Sequence, residues 1–327
     1  MSTPDFIGFT PTHSYFEANA RVRLQQLLDR GGFHEFLPPE AVEPSPHLAA
    51  LDLPGAFDDG VIIGSGRLGG KAVLVAAQEG RFMGGAVGEI HGAKIVGLLR
   101  RALAEKPAAV LLLVDSGGVR LHEANAGLIA IAEIMRAVLA TRAAGVPVLA
   151  LVGGSCGAFG GMGIVTRLCS AIFISEEGRL ALSGPEVIET VMGVEEFDSK
   201  DRALVWRVTG GKHRYLMGDC AELVGDDSAS FRQGAIEYLN VHVEAKPSLA
   251  NLRAAQQALA ARMKRFGPYR DGLEVWADLG VADPQQVPII DRDSLLTEQA
   301  VSGGFLAFGL MVDRTYALAD AQVRVMT

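Results

Sequence analysis

Two glycine-rich breaks, each following an uninterrupted apolar run, hold the residues best suited to chemistry in this sequence. The first run, Val110-Leu111-Leu112-Leu113-Val114, ends at Asp115 and opens into Ser116-Gly117-Gly118-Val119-Arg120. The second, Val146 to Val152, opens into Gly153-Gly154-Ser155-Cys156-Gly157-Ala158-Phe159-Gly160-Gly161. Apolar runs of this length between turn signals predict strands buried on both faces. Glycines just past a strand let the main chain approach another group closely and turn its N–H groups toward it. One right-handed crossover sets the two breaks side by side, which would pair backbone donors around an oxygen that gains negative charge. The candidate donors are Gly117, Gly118, Gly157 and Ala158. Simple tight turns use glycine in the same places, so either break alone is ambiguous.

Several side chains near these breaks carry chemistry of their own. Cys156 could act as a nucleophile, but no base accompanies it, and a small packed thiol is the commoner role. His122 or Glu123 could deliver a proton; a helix-start Glu and a surface His explain them equally. Arg120 could hold a carboxylate or phosphate, or pair with an acid within the fold. A third break, Phe82 to Gly88, contains Gly84 and Gly85 and precedes His91 and Lys94, which are expected on a solvated helix face. Met83 and Met162 are expected to be packing residues.

The elements that must position these groups follow from periodicity. Ser14 to Leu28 has helical spacing and ends near Gly31-Gly32. Prolines from Pro38 to Pro54 predict an extended surface wrap. Gly60 to Ala77 reads as a hairpin turning at Gly69-Gly70. Helices are expected over 89–104, over 124–143 with Leu128, Ile131, Ile134, Met135 and Val138 as its core stripe, and from Phe159 to Cys169. Further strands are expected at 171–174 and 179–182. Helices follow over 186–192, 231–239 and 249–266, the last with Leu252, Leu259 and Met263 on one side. The repeated strand, glycine break, helix pattern suits either a layered spiral of βαβ-like units or a doubly wound sheet.

Composition bounds the function. The chain has 327 residues, 49 % of them hydrophobic, enough for a full core. A formal charge of −8 without a basic run argues against nucleic-acid binding. Three scattered cysteines suit neither a disulfide framework nor a zinc site and fit a reducing cytoplasm. The N-terminus lacks a signal pattern, and apolar runs of about seven residues fall far short of the ~20 a membrane helix needs.

Four motifs in order carry a resemblance. Ala20-Arg21-Val22-Arg23 through Leu27-Leu28-Asp29-Arg30-Gly31-Gly32-Phe33 resembles the opening stretch of biotin-dependent carboxyltransferases. Met83-Gly84-Gly85-Ala86-Val87-Gly88-Glu89 through Lys94, Ser116-Gly117-Gly118-Val119-Arg120-Leu121-His122-Glu123, and Gly184-Pro185-Glu186-Val187-Ile188-Glu189 resemble three further motifs of that family. The match implies an α/β crotonase (ClpP-like) superhelical stack of ββα units over 1–266, with a C-terminal appendage at 267–327. The missing four-cysteine zinc ribbon, the short chain and the segment Ser155 to Gly163 make it most similar to the β subunits of biotin-independent malonate decarboxylases. That resemblance implies a carbon–carbon lyase that removes CO2 from a malonyl thioester on an acyl carrier protein and stabilises the enolate in backbone oxyanion holes. It implies a γ subunit of the same fold as partner. The cofactor would be a phosphopantetheine-type thiol arm derived from dephospho-CoA, carried by the carrier subunit and passing near Gly84 and Gly85. No biotin, metal or covalently bound cofactor is expected on this chain. The alternative is a β-type carboxyltransferase subunit of a biotin-dependent acyl-CoA carboxylase.

Overall fold

The computed structural model describes residues 14–244, 248–283 and 287, and the backbone of 299–301 and 322–324. Helix α1 (Ala20–Leu27) opens on an Asn19 cap whose side chain accepts from the Val22 amide at 2.9 Å. The chain continues through β1 (His34–Glu35) and α2 (Pro46–Ala50) into the expected hairpin, β2 (Val61–Leu68) and β3 (Lys71–Gln78). Its two-residue turn places Gly69 and Gly70 at φ +57° and +78°. Side chains with a Cβ avoid that region, which is why two glycines stand there.

Three strand–helix repeats follow: α3 (Glu89–Glu105) and β4 (Ala109–Val114); α4 (Asn125–Ala143) and β5 (Val148–Val152); α5 (Gly160–Arg167) and β6 (Ala171–Ser175). Then come α6 (Pro185–Met192), α7 (Arg202–Thr209), α8 (Gly211–Leu216), β7 (Glu222–Val224), α9 (Ser228–Val241), α10 (Leu249–Phe266) and α11 (Gly272–Asp278). A short parallel pair, β8 (Gln299–Val301) and β9 (Gln322–Arg324), lies outside the main sheet.

The seven strands β1 to β7 are neighbours in chain order, antiparallel as far as β3 and parallel from β3 onward. A doubly wound sheet reverses its strand order part-way. This sheet never does, so the chain advances as a spiral, as the layered reading expected. Between each long strand and its helix, single residues pair with the equivalent residue of the next layer: Val87 with Val119, Ser116 with Ala158, and Ala158 with Leu180. These bridges are the short second strands of the ββα units.

Both faces of the sheet are buried. Along β4, Val110, Leu112 and Val114 join the core under α3 and α4. The intervening Ala109, Leu111 and Leu113 join the core under α1 and α9. Period-two alternation into two apolar layers explains why β4 and β5 read as unbroken hydrophobic runs.

The structure corrects some expectations. Ser14 pairs with Asp227 instead of starting a helix, and α1 begins at Ala20. Of residues 179–182, only Arg179 and Leu180 pair, each in a single bridge. On α4, Ile131, Ile134 and Val138 are buried as expected, but Leu128 is exposed. On α10, Leu252, Leu259 and Met263 share an exposed face. Past residue 266, α11 packs back on α7 and α8: Trp276 donates to His213 Nδ1 at 3.2 Å, and Asp271 pairs with Arg207 at 3.0 Å. The rest of the expected appendage lies mostly outside the described residues.

One group near the sheet edge makes stability depend on pH. Glu222 on β7 is buried under α9, where a Cβ at Gly234 would sit 2.3 Å from its Oε2. Burial and the nearby Glu237 charge push its carboxyl up to about 8. The folded chain therefore holds a proton that the unfolded chain releases near pH 4.5, so stability falls as pH rises from about 4.5 to about 8. Glu222→Gln is expected to flatten that decline and raise the denaturation midpoint above pH 8, measured by urea titration across pH 5 to 9.

Candidate active site

The breaks meet at the C-terminal ends of β4 and β5 around one buried carboxylate. Asp115 Oδ2 lies 2.8 Å from Arg23 Nη1, and its Oδ1 accepts the Cys156 amide at 2.7 Å. Arg23 reaches from α1 and also donates to the Tyr15 and Phe16 carbonyls at 2.9 and 3.3 Å. The clasp leaves no room for side chains beside it: a Cβ at Gly80 or Gly154 would lie 2.6 or 2.2 Å from the Asp115 carboxylate. One ion pair thus joins the N-terminal helix, the first break and the second. A cavity of about 500 Å³ opens beside it, lined by Phe16, Arg23, Glu79, Arg81 and Ser155 among others.

The four expected donors lie together, but none is free. Gly117 N donates to Gly84 O at 2.8 Å and Gly118 N to Ser116 Oγ at 3.1 Å. Gly157 N donates to Gly154 O at 3.1 Å and Ala158 N to Arg179 O at 2.8 Å. In this structure the amides of Gly117, Gly118, Gly157 and Ala158 are therefore partnered within the chain. Of the four, only the Ala158 amide is taken by a bridge that stacks the layers; Gly117 bonds across to the third break, and Gly118 and Gly157 bond within their own turns. Unpartnered donors stand one turn further on, at the start of α5. The Gly160 amide is taken by Leu182 O at 2.8 Å, whereas those of Gly161 and Met162 have no main-chain acceptor among the described residues. A helix necessarily leaves such first-turn amides without an intrahelical acceptor.

A family model described as the carboxyl transferase domain matches residues 12–261. The chain belongs to the carboxyl transferase domain family. Within that family it is 39 % identical over 303 residues to the malonyl-S-ACP:biotin-protein carboxyltransferase of Malonomonas rubra, covering 87 % of this chain and 95 % of that protein. The propionyl-CoA carboxylase β chain of Saccharopolyspora erythraea is 32 % identical over 230 residues, but this chain spans only 40 % of its length. In structure, the chain is similar to a chain of the Pseudomonas malonate decarboxylase hetero-tetramer solved with malonate. The TM-score is 0.73 at 39 % identity, covering 80 % of this chain and 96 % of that one. These crotonase-fold neighbours agree with the spiral described above.

The remaining side chains of this carboxyl transferase domain sort clearly. Arg120 pairs with an acid inside the fold: its Nη1 lies 2.9 Å from Asp59 and 2.7 Å from Glu123, all three buried. Burial alone would raise the Glu123 carboxyl, but the Glu89 amide and Arg120 hold it below its ordinary value, so it stays ionised. That leaves Glu123 unsuited to donate a proton. His122 is exposed beside it. The Cys156 thiol is half-buried and donates to Gly80 O at 3.3 Å. Burial and the Asp115 charge push it up, away from the reactive thiolate.

His91 and Lys94 are not on a solvated face. His91 is fully buried between Gln78 and the Asp59 carbonyl, and burial with the Arg120 charge brings its imidazole down to about 3. Lys94 donates to the Asp58 and Val61 carbonyls at 2.7 and 2.5 Å. Both fasten the proline-rich wrap to α3. Asp59, Asp115 and Arg179 escaped the sequence reading. Asp115 carried a signal, as the one charge ending the first apolar run; Arg23 stood in a recognised motif without a role.

Gly84 and Gly85 divide likewise. Both have positive φ, +65° and +64°. Gly84 is exposed, with nothing within 4 Å of a built Cβ, whereas a Cβ on Gly85 would lie 1.8 Å from the Asp115 carbonyl oxygen. Gly85→Ala is expected to cost about 4 kcal/mol or more, because backbone must move. Gly84→Ala should cost about 1 kcal/mol, the strain of its conformation alone. Denaturant titration of the two variants checks the contrast.

Proposed function

We propose that this chain is the β-type subunit of a malonate decarboxylase, a carboxy-lyase that converts a malonyl thioester on an acyl carrier protein to the acetyl thioester and CO2. The observation that carries the reading is the near end-to-end likeness to two proteins whose names concern malonyl thioester or malonate. The chain spans 95 % and 96 % of those proteins, against 40 % of the propionyl-CoA carboxylase chain.

The chemistry follows from where charge moves. When the carbon–carbon bond to the carboxylate breaks, its electron pair passes into the thioester and CO2 departs. The resulting enolate carries its charge on the thioester oxygen, and a proton later returns to carbon. The chain's task is to hold fixed donors at that oxygen and exclude water. The Gly161 and Met162 amides suit the task, with the positive end of α5 behind them. The proton donor is His122 or water. Arg23 and Asp115 hold the second break, and with it the start of α5.

The malonyl group would arrive on a phosphopantetheine-type arm of the carrier, derived from dephospho-CoA, past the open surface at Gly84. The chain itself would carry neither biotin nor metal. A γ subunit of the same fold would complete the complex in the cytoplasm. Leu121, Leu128, Ile129, Leu182, Val187 and Val191 are all more than half exposed, which suits coverage by such a partner. No helix among the described residues is long and apolar enough to cross a membrane.

A second reading is favoured by the name of the Malonomonas rubra relative, in which the carboxyl passes to a biotin protein. The assembled complex, given malonyl-carrier, is expected to release CO2 at the same rate with and without avidin. Loss of turnover on avidin treatment would favour carboxyl transfer to biotin, and no product from either route would sink both readings. Within the active complex, Gly161→Pro removes one first-turn N–H without breaking an intrahelical bond. Its ring needs space, because a Cβ there would lie 2.8 Å from Ile131, so the substitution is made in an Ile131→Ala background. Relative to Ile131→Ala alone, kcat should fall about 10²–10³-fold.

A further inference from the structure

Arg179, at the edge of the second break, is a cation with no carboxylate within ion-pair distance; Glu186 and Asp115 act on it only from farther off. Among the described residues, every other buried or half-buried arginine has a carboxylate within ion-pair distance: Arg21, Arg23, Arg120, Arg142, Arg207, Arg214, Arg232 and Arg262 each do. Arg179 has none, although it is half-buried and its Nε is buried with no hydrogen-bond partner. Burial lowers its guanidinium from the ordinary value. A charge kept in such a place is costly unless something negative comes to it.

Its position is also fixed. The guanidinium carbon lies 5.5 Å from the Phe159 ring centroid and 5.0 Å from that of Trp206, and Nη2 donates to the Ser155 carbonyl at 2.5 Å. Its own carbonyl accepts the Ala158 amide. Phe159 caps α5, whose first turn carries the open amides of Gly161 and Met162. A planar cation therefore packs on Ser155 and Phe159, the stretch that leads directly into the pair of N–H donors. In a malonyl thioester the free carboxylate is two carbon–carbon bonds from the thioester carbonyl carbon.

We propose that Arg179 binds an anionic group of the acyl thioester substrate, the malonyl carboxylate first, and so selects malonyl over acetyl thioesters. This assignment rests on the malonyl-thioester reading above. A phosphate on the carrier arm offers the same charge-assisted hydrogen bonding and is the other source of such an anion. The attraction acts on the bound substrate and vanishes as CO2 leaves. Its loss should therefore raise KM and weaken binding more than it lowers kcat.

The test measures binding by calorimetry on the assembled complex of this chain with its same-fold partner, using malonyl-CoA, acetyl-CoA and malonyl-pantetheine as probes. Arg179→Gln is expected to weaken malonyl-CoA and malonyl-pantetheine at least tenfold and leave acetyl-CoA within twofold. Arg179→Lys should restore part of the selectivity. Weakened malonyl-CoA and acetyl-CoA with unchanged malonyl-pantetheine would place the anion on the phosphate arm and support the anion site by that route. Unchanged affinity for all three probes, or equal loss for all three, would overturn the proposal, the latter marking a purely structural residue. A wild-type complex that binds malonyl-CoA over acetyl-CoA yet releases no CO2 would contradict the decarboxylase reading without touching this one.

Discussion

Arg23 and Asp115 meet at 2.8 Å with both side chains almost wholly out of water. Desolvating two charges is costly, and their attraction offsets the cost only when further hydrogen bonds complete the geometry. Here they do. Arg23 spends its other nitrogens on two carbonyls before α1, and Asp115 spends its second oxygen on the Cys156 amide. The pair therefore fixes three pieces of chain at once. Removing either partner alone leaves a buried charge without an opposite, a loss of about 3–5 kcal/mol in comparable sites. The glycines at 80 and 154 exist because the clasp admits no side chain.

The clasp sets how the two breaks lie against each other. By holding the second break against the first, it lets Ser116, Ala158 and Leu180 form the bridges that stack the ββα layers. One of those bridges takes the Ala158 amide, while Gly117 bonds to Gly84 and Gly118 and Gly157 bond within their own turns. The unpartnered N–H groups stand in the first turn of α5, and Arg179 packs against the Ser155 to Phe159 stretch that leads into it. The Arg120, Asp59 and Glu123 cluster does the matching work on the other side of the first break, tying its end to the wrap before β2.

Much of this was legible in the sequence, and the limits have physical causes. The hairpin at Gly69-Gly70, the unbroken runs of β4 and β5 and the helices α3 and α4 follow from local periodicity, which tertiary contacts reinforce. Pattern alone left the spiral and the doubly wound sheet open; strand order decided between them. Donor availability could not be read, because whether Gly117 N is free depends on Gly84, far along the chain. His91 and Lys94 were misread because their partners are carbonyls of the wrap, which has no periodicity to reveal its path. Leu128 was misplaced because a helical stripe does not say which of its edges the neighbouring helix covers.

The central claim is that the Asp115 clasp, through the Cys156 amide, holds the second break and the start of α5 in place for catalysis. Hydrogen exchange of the assembled complex carrying Asp115→Asn tests it most directly. Protection of the Cys156, Ala158 and Phe159 amides should fall by about a hundredfold, ~2.8 kcal/mol, while Leu111 and Leu149 in the strands stay protected and turnover drops in parallel. Unchanged protection at those three amides with full turnover would contradict the account.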